Sequence, residues 1–188
     1  GIRTISSYVV SFAINKVFLF RNLFIFLPTK QFLIMQKYEM LALNLPPYPF
    51  KISNKEGKRY IFDMLRKKYV ALTPEEWVRQ HFTHYLLEHK GYPQGLLANE
   101  IQLNLNGTKK RCDTVLYNRN LTAKMIVEYK APNINITQAV FDQITRYNMA
   151  LKVDYLIVTN GINHYCCHID YATHSYHFLP EIPNYNEL

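Results

Sequence analysis

The chain has 188 residues, 48% of them hydrophobic, enough for one cored domain with an appendage and too few for a multidomain array. Its formal charge of +8, from 22 Lys and Arg against 14 Asp and Glu, argues against basic partners and favours a polyanion, nucleic acid first. The odd count of 3 Cys, two of them adjacent at Cys166 and Cys167, argues against a disulfide framework and fits a reducing cytoplasm.

Residues 2–35 are apolar and aromatic, with runs such as Val17-Phe18-Leu19-Phe20 and Leu23-Phe24-Ile25-Phe26-Leu27. Lys16 and Arg21 interrupt them, so no unbroken span of roughly 18 apolar residues exists and no stable membrane association is expected. No small-residue cleavage site marks a signal peptide. Two readings stand side by side. The start codon is assigned too early, with Met35 or Met40 as the true start. Alternatively the segment is genuine and buries its aromatics against the domain or against a second copy, making a homodimer. The domain expectation is an N-terminal extension over 1–45 and a folded domain over 46–188.

Pro46-Pro47-Tyr48-Pro49 is a rigid extended lead-in. Phe50-Lys51-Ile52 and Arg59-Tyr60-Ile61-Phe62 predict two short strands around a turn containing Gly57. Lys51, Lys55, Lys58, Arg59, Arg66, Lys67 and Lys68 interleave with Tyr60 and Tyr69. That region is either a phosphate-backbone contact surface or a solvated turn face. Thr73-Pro74-Glu75-Glu76 starts a helix: Thr73 caps, Pro74 suits the first position, and Glu76 completes a capping box. The helix runs to about Lys90, stops at Gly91, and faces the core with Trp77, Val78, Phe82, Tyr85 and Leu86. His81 and His84 lack further ligands nearby and do not make a metal site.

Residues 96–105 read as a strand, with Ile101, Leu103 and Leu105 on one face and Glu100, Gln102 and Asn104 on the other. Asn106-Gly107 turns it into a second strand over 111–117. An Asn118-Arg119-Asn120 break then leads into a third over 124–130. Residues 137–151 form a helix with Ala139, Val140, Ile144, Tyr147 and Met149 as apolar surface. Gln143 and Tyr147, four apart, share a face of it. Tyr155–Thr159 is fully apolar, as a central strand should be. Residues 165–169 and 176–179 complete the sheet; His164, Cys166 and His168 alternate there as packing residues. The fold class is therefore α/β, a mixed sheet flanked by helices.

The chemistry converges between the second and third strands. Alternation puts Glu128 and Lys130 on one side, and Asp113 lies on the neighbouring strand near the same end. Two carboxylates hold a hard divalent cation that reaches a phosphate oxygen, and a Lys orients water and adds positive charge. That is a constellation for phosphodiester cleavage; a solvated strand face is the plain alternative. Glu100 is either a third acid of the metal site or an exposed strand Glu.

Asp113 followed by Glu128-x-Lys130 resembles the PD-(D/E)XK nuclease superfamily. The wider text resembles the N-terminal nuclease domain of type I restriction enzyme R (HsdR) subunits over about residues 46–180. The matching stretches are Thr73-Pro74-Glu75-Glu76-Trp77-Val78-Arg79-Gln80, Gly91-Tyr92-Pro93, Glu100, Arg111-x-Asp113, Glu128-Tyr129-Lys130-Ala131-Pro132, Gln143-x-x-x-Tyr147 and Thr159-Asn160-Gly161. One departure is Arg111-Cys112-Asp113 where the family has Pro-Asp. The resemblance implies a restriction-endonuclease-like core and Mg2+- or Mn2+-dependent endonucleolytic cleavage of DNA in the cytoplasm. Its site residues would be Asp113, Glu128 and Lys130, with Asp113, Glu128 and Glu100 on the metal. Gln143, Tyr147, Arg79 and Arg111 would contact DNA, with Arg79 and Gln80 on the surface near the site. The implied partners are DNA and the specificity and methylation subunits of a type I system. A whole R subunit also needs a motor, and no G-x-x-x-x-G-K-[ST] phosphate loop occurs here. The chain is then a fragment, a stand-alone relative or a truncated product. A DNA-binding module on the same fold without turnover is the alternative function.

Overall fold

The computed structural model describes residues 17–20, 23–26, 42–105, 108–149 and 152–188; among these, the side chains of 17–20, 23–26, 103–105, 108, 110, 143 and 146–149 are not described. The chain divides into two compact units, Gly1–Leu41 and Ala42–Leu188. In the first, β1 (Val17–Phe20) pairs antiparallel with β2 (Leu23–Phe26). The readings of Met35, Met40 and a dimer-forming segment lie outside the described residues. No helix among the described residues is long and apolar enough to cross a membrane.

The second unit holds two sheets. The smaller is antiparallel and joins β3 (Ile52–Lys55), β4 (Lys58–Asp63) and β5 (Lys68–Ala71) in that order. The sequence reading has only two strands here, because the third begins within the basic run Arg66-Lys67-Lys68. The turn is made by a side chain: Asp63 Oδ1 accepts the Leu65 and Arg66 N–H groups at 2.8 and 2.9 Å. An Asp that caps its own turn frees the next residues to return as a strand.

Helix α1 (Pro74–Glu88) follows, and the larger sheet then begins. Its strands are β6 (Leu97–Leu105), β7 (Thr108–Tyr117), β8 (Ala123–Tyr129), β9 (Tyr155–Thr159), β10 (His164–Asp170) and β11 (Ser175–Phe178). Spatial order is the reverse of chain order, β11-β10-β9-β8-β7-β6. Every neighbouring pair is antiparallel except β8–β9. A parallel step needs a crossover, and helix α2 (Gln138–Met149) is in the chain between those two strands. This is the mixed sheet with helices that the sequence predicts, consistent with a restriction-endonuclease-like core.

Period-two alternation sorts the core into two clusters. Met125, Val127, Tyr129 and Ile157 pack with Val78, Phe82 and Leu86 of α1. Ile126, Leu156 and Val158 pack with Phe141 and Ile144 of α2. Strands β8 and β9 are thus apolar on both faces, as a doubly covered centre requires. Phe141, passed over in reading the helix, is its buried anchor, whereas Ala139 is exposed.

Thr73 caps α1 through its Oγ1, which accepts the Glu76 N–H at 3.0 Å, and Pro74 takes the first helical position. The expected capping box is only half formed. Thr73 N–H donates to Ala71 O at 3.1 Å, and the Glu76 carboxylate turns inward to Arg66, Arg79 and Gln80. Thr73→Ala is expected to cost about 1 kcal/mol, read as a lower urea midpoint at unchanged slope. A midpoint identical to that of the parent chain would show that the hydroxyl contributes nothing.

Candidate functional site

The ladder between β7 and β8 runs through Thr114↔Val127, and Asp113, Glu128 and Lys130 lie just past it. There a side chain takes over from the backbone: the Tyr129 N–H donates to Asp113 Oδ2 at 2.9 Å. The Lys130 N–H donates to Thr159 O at 2.9 Å, which ties the segment to the end of β9. Lys130 Nζ donates to Glu128 Oε1 at 2.9 Å, so these two side chains do share a side. Both are partly exposed, at 29% and 26%.

Arg79 is the centre of the cluster. The sequence reading put Arg79 and Gln80 on the surface; both are buried. The reason is charge pairing, because a buried guanidinium persists only when acids surround it. Arg79 Nη1 lies 2.6 Å from Glu76 Oε2 and 2.8 Å from Glu100 Oε1, and its Nη2 lies 3.0 Å from Asp113 Oδ1. The same guanidinium sits 5.4 Å over the Tyr129 ring, a cation–π contact. Helix α1 delivers Glu76 and Arg79 together because residues three apart are neighbours on a helix.

Glu100 reaches this cluster by an unusual backbone. Residues Asn99↔Thr114 and Ile101↔Cys112 are paired, and Glu100 between them has φ 57. A left-handed conformation at a non-glycine costs roughly 1–3 kcal/mol and persists where surrounding contacts hold it. Those contacts are Arg79 and the Arg111 Nε, which lies 2.8 Å from Glu100 Oε2. Arg111 itself is 72% exposed, at the rim of the cluster.

A second tier supports the first. Arg66 Nη2 donates to Glu76 Oε1 at 2.6 Å, and its Nε donates to Asp63 Oδ2. Asn99 Nδ2 also donates to Asp63 Oδ2 at 2.9 Å, while its Oδ1 accepts from Thr114 Oγ1 at 2.6 Å. Tyr129 OH then donates to Thr114 Oγ1 at 3.0 Å. A continuous polar chain therefore runs from the β4–β5 turn to β8. Burial pushes the Asp63 carboxyl up, but hydrogen bonds from Arg66 and Asn99 together with the Arg66 charge outweigh it and hold the group below its usual range.

The acids of the site act on one another. Burial raises the Glu128 pKa, and the charge of Asp113 raises it further against the pull of Lys130. Burial and then Asp113 likewise raise Glu75. Burial works against the Lys130 ammonium, yet the Glu128 hydrogen bond and the charges of Glu128, Asp113 and Glu75 outweigh it, so its pKa is raised. The cluster is rich in carboxylate oxygens, the donor type that hard cations take. Among the described residues, however, no group of three His, Cys, Asp or Glu side chains closes on one point. Glu100 leans to Arg79 and Arg111, and Glu128 pairs with Lys130.

Gln143 and Tyr147 belong to α2, and their side chains lie outside the described residues. His81 Nδ1 contacts Trp77 O at 3.0 Å and His84 Nδ1 contacts Glu88 at 2.8 Å, local helix contacts with no metal geometry. Sequence reasoning missed Glu76, Asp63, Arg66, Asn99 and Thr114 as site supports. One signal was present: Glu76 and Arg79 stand three apart, an ion-pair spacing that the capping-box reading hid.

A family described as type I restriction enzyme R protein N terminus (HSDR_N) matches residues 74–183, more than half of the chain. No curated protein matches the sequence. Among solved structures, a fragment assigned to an HsdR subunit of a type I restriction enzyme from Vibrio vulnificus is 24% identical, with a TM-score of 0.46. The alignment covers 62% of this chain and 24% of that one.

Proposed function

The chain belongs to the type I restriction enzyme R protein N-terminus family, and on that premise we propose that it is a metal-dependent DNA-cleaving module. The observation that carries this reading is the meeting of Asp113, Glu128 and Lys130 just past the paired segment of β7 and β8. Asp113 and Glu128 would hold Mg2+ or Mn2+, which supplies Lewis-acid stabilisation of the phosphate and a more acidic water when bound. Two carboxylates fit that ion, since Mg2+ keeps several waters and shares its remaining positions with substrate phosphate.

The chain's own residues divide the work. The Tyr129 N–H and Arg79 each take one oxygen of Asp113, which fixes its orientation before any ligand arrives. Glu128 keeps Lys130 Nζ at the site, where the ammonium aligns the attacking water and offsets charge on the phosphate oxygens. Arg111, exposed beside Glu100, and the α2 residues Gln143 and Tyr147 are proposed to contact the DNA backbone. Glu100 would join the metal only on release from Arg79 and Arg111. We further propose a cytoplasmic setting, with the specificity and methylation subunits of a type I system as partners. Cys112, Cys166 and Cys167 are free and buried, which suits reducing conditions.

Supercoiled plasmid incubated with Mg2+ or Mn2+ should be nicked, and Asp113→Ala should abolish the nicking. Equal nicking by the variant, or none by the parent chain in any metal, defeats the proposal. A second reading, DNA binding without turnover, draws on one observation: Asp113 and Glu100 already carry the Arg79 guanidinium. It predicts binding with no cleavage at any metal concentration.

A further inference from the structure

We propose that the outward face of the β3–β5 sheet is a platform for single-stranded DNA, separate from the carboxylate cluster. Register fixes which residues share that face. Lys55 pairs with Lys58 and Phe62 with Tyr69, and the Phe62 N–H donates to Lys51 O. With alternation, Lys51, Lys55, Lys58, Tyr60, Phe62 and Tyr69 all project to one side. Ile61 and Asp63 project to the other, and both are fully buried, so the first side faces solvent.

The chemistry of this face is specific. It carries Lys51, Lys55 and Lys58, each exposed, with no carboxylate among the residues in register there. Lys51 Nζ stands 5.7 Å over the Phe62 ring, which places cation and ring side by side. Phe62 and Tyr69 meet edge to face at 5.4 Å, and Tyr69 is 48% exposed, so its ring is open to an outside partner. Cations interleaved with rings, of which Tyr69 is exposed and Tyr60 and Phe62 are half-buried, match a polyanion whose bases are free to stack. A duplex keeps its bases stacked on each other and would use only the lysines. The charge therefore selects a nucleic acid, and the rings select a single strand.

This inference goes beyond the cleavage reading and stands without it. The test is anisotropy of a labelled oligothymidine of about 20 nucleotides, titrated with the chain in EDTA so that no cleavage intervenes. Tyr69→Ala should weaken binding about fivefold or more, the lower end of a lost stacking contact, and Tyr69→Trp should retain it. Lys55→Ala with Lys58→Ala should flatten the salt dependence by about 1.4 in log–log slope, two single-strand phosphate contacts. Circular dichroism confirms that each variant is folded. Wild-type binding by Tyr69→Ala, or equal binding of a duplex of the same length, overturns the proposal. If oligothymidine binds but plasmid is never nicked, the cleavage reading falls and this one stands; nicking with unaltered binding by Tyr69→Ala does the reverse.

Discussion

Lys130→Ala is expected to lower metal-dependent nicking at least about a hundredfold, because it removes a positioned charge at the reacting phosphate. Its stability should hardly change. The Lys130–Glu128 pair is partly solvated, at 29% and 26% exposure, and such pairs contribute about 0–1 kcal/mol. A large kinetic loss with a small thermal shift is the pattern of a residue that acts on substrate. Lys130→Arg should restore little, since a planar guanidinium does not replace a compact ammonium. Lys124 is the control: it lies on the same strand and pairs with Asp154 at 2.6 Å, away from the cluster. Lys124→Ala should nick plasmid at the parental rate. Should Lys130→Ala do so as well, the ammonium is only a counter-ion to Glu128.

What the sequence made visible follows from how local each signal is. Strand alternation is local, so Glu128 and Lys130 on one side of β8 and the apolar β9 could be read directly. The cap at Thr73 is local too, and it formed. The buried position of Arg79 was not legible. It depends on Glu100 and Asp113, more than twenty residues away, and on a backbone reversal at Glu100 that alternation does not anticipate. The same holds for the Asp63–Asn99–Thr114–Tyr129 chain, in which four separate segments each supply one ordinary polar residue. Basic residues on β3–β5 were legible as a group. Their division between two faces needed the register, and Tyr69 on a third strand had no strand signal because three cations precede it.

Arg79→Ala is expected to destabilise the folded chain by about 3–5 kcal/mol, the cost of leaving buried carboxylates without their cation. Glu76, Glu100 and Asp113 would then face one another across the space that the guanidinium fills. Arg79→Lys should recover only part of the loss, because one ammonium does not reproduce the planar fork that serves acids from α1, β6 and β7 at once. The position also links stability to the proposed chemistry. Arg79 holds Asp113 Oδ1 while the Tyr129 N–H holds Oδ2, so both oxygens are placed by the protein alone. Without the guanidinium, the freed acids should accept a divalent cation in its stead. Urea denaturation with and without Mg2+ reads this as a larger metal-dependent gain in Arg79→Ala than in the parent chain. A loss below about 1 kcal/mol would mean that water already reaches these acids and screens them. A gain no larger than the parent's would mean that their oxygens, though close, are not disposed around a common cation.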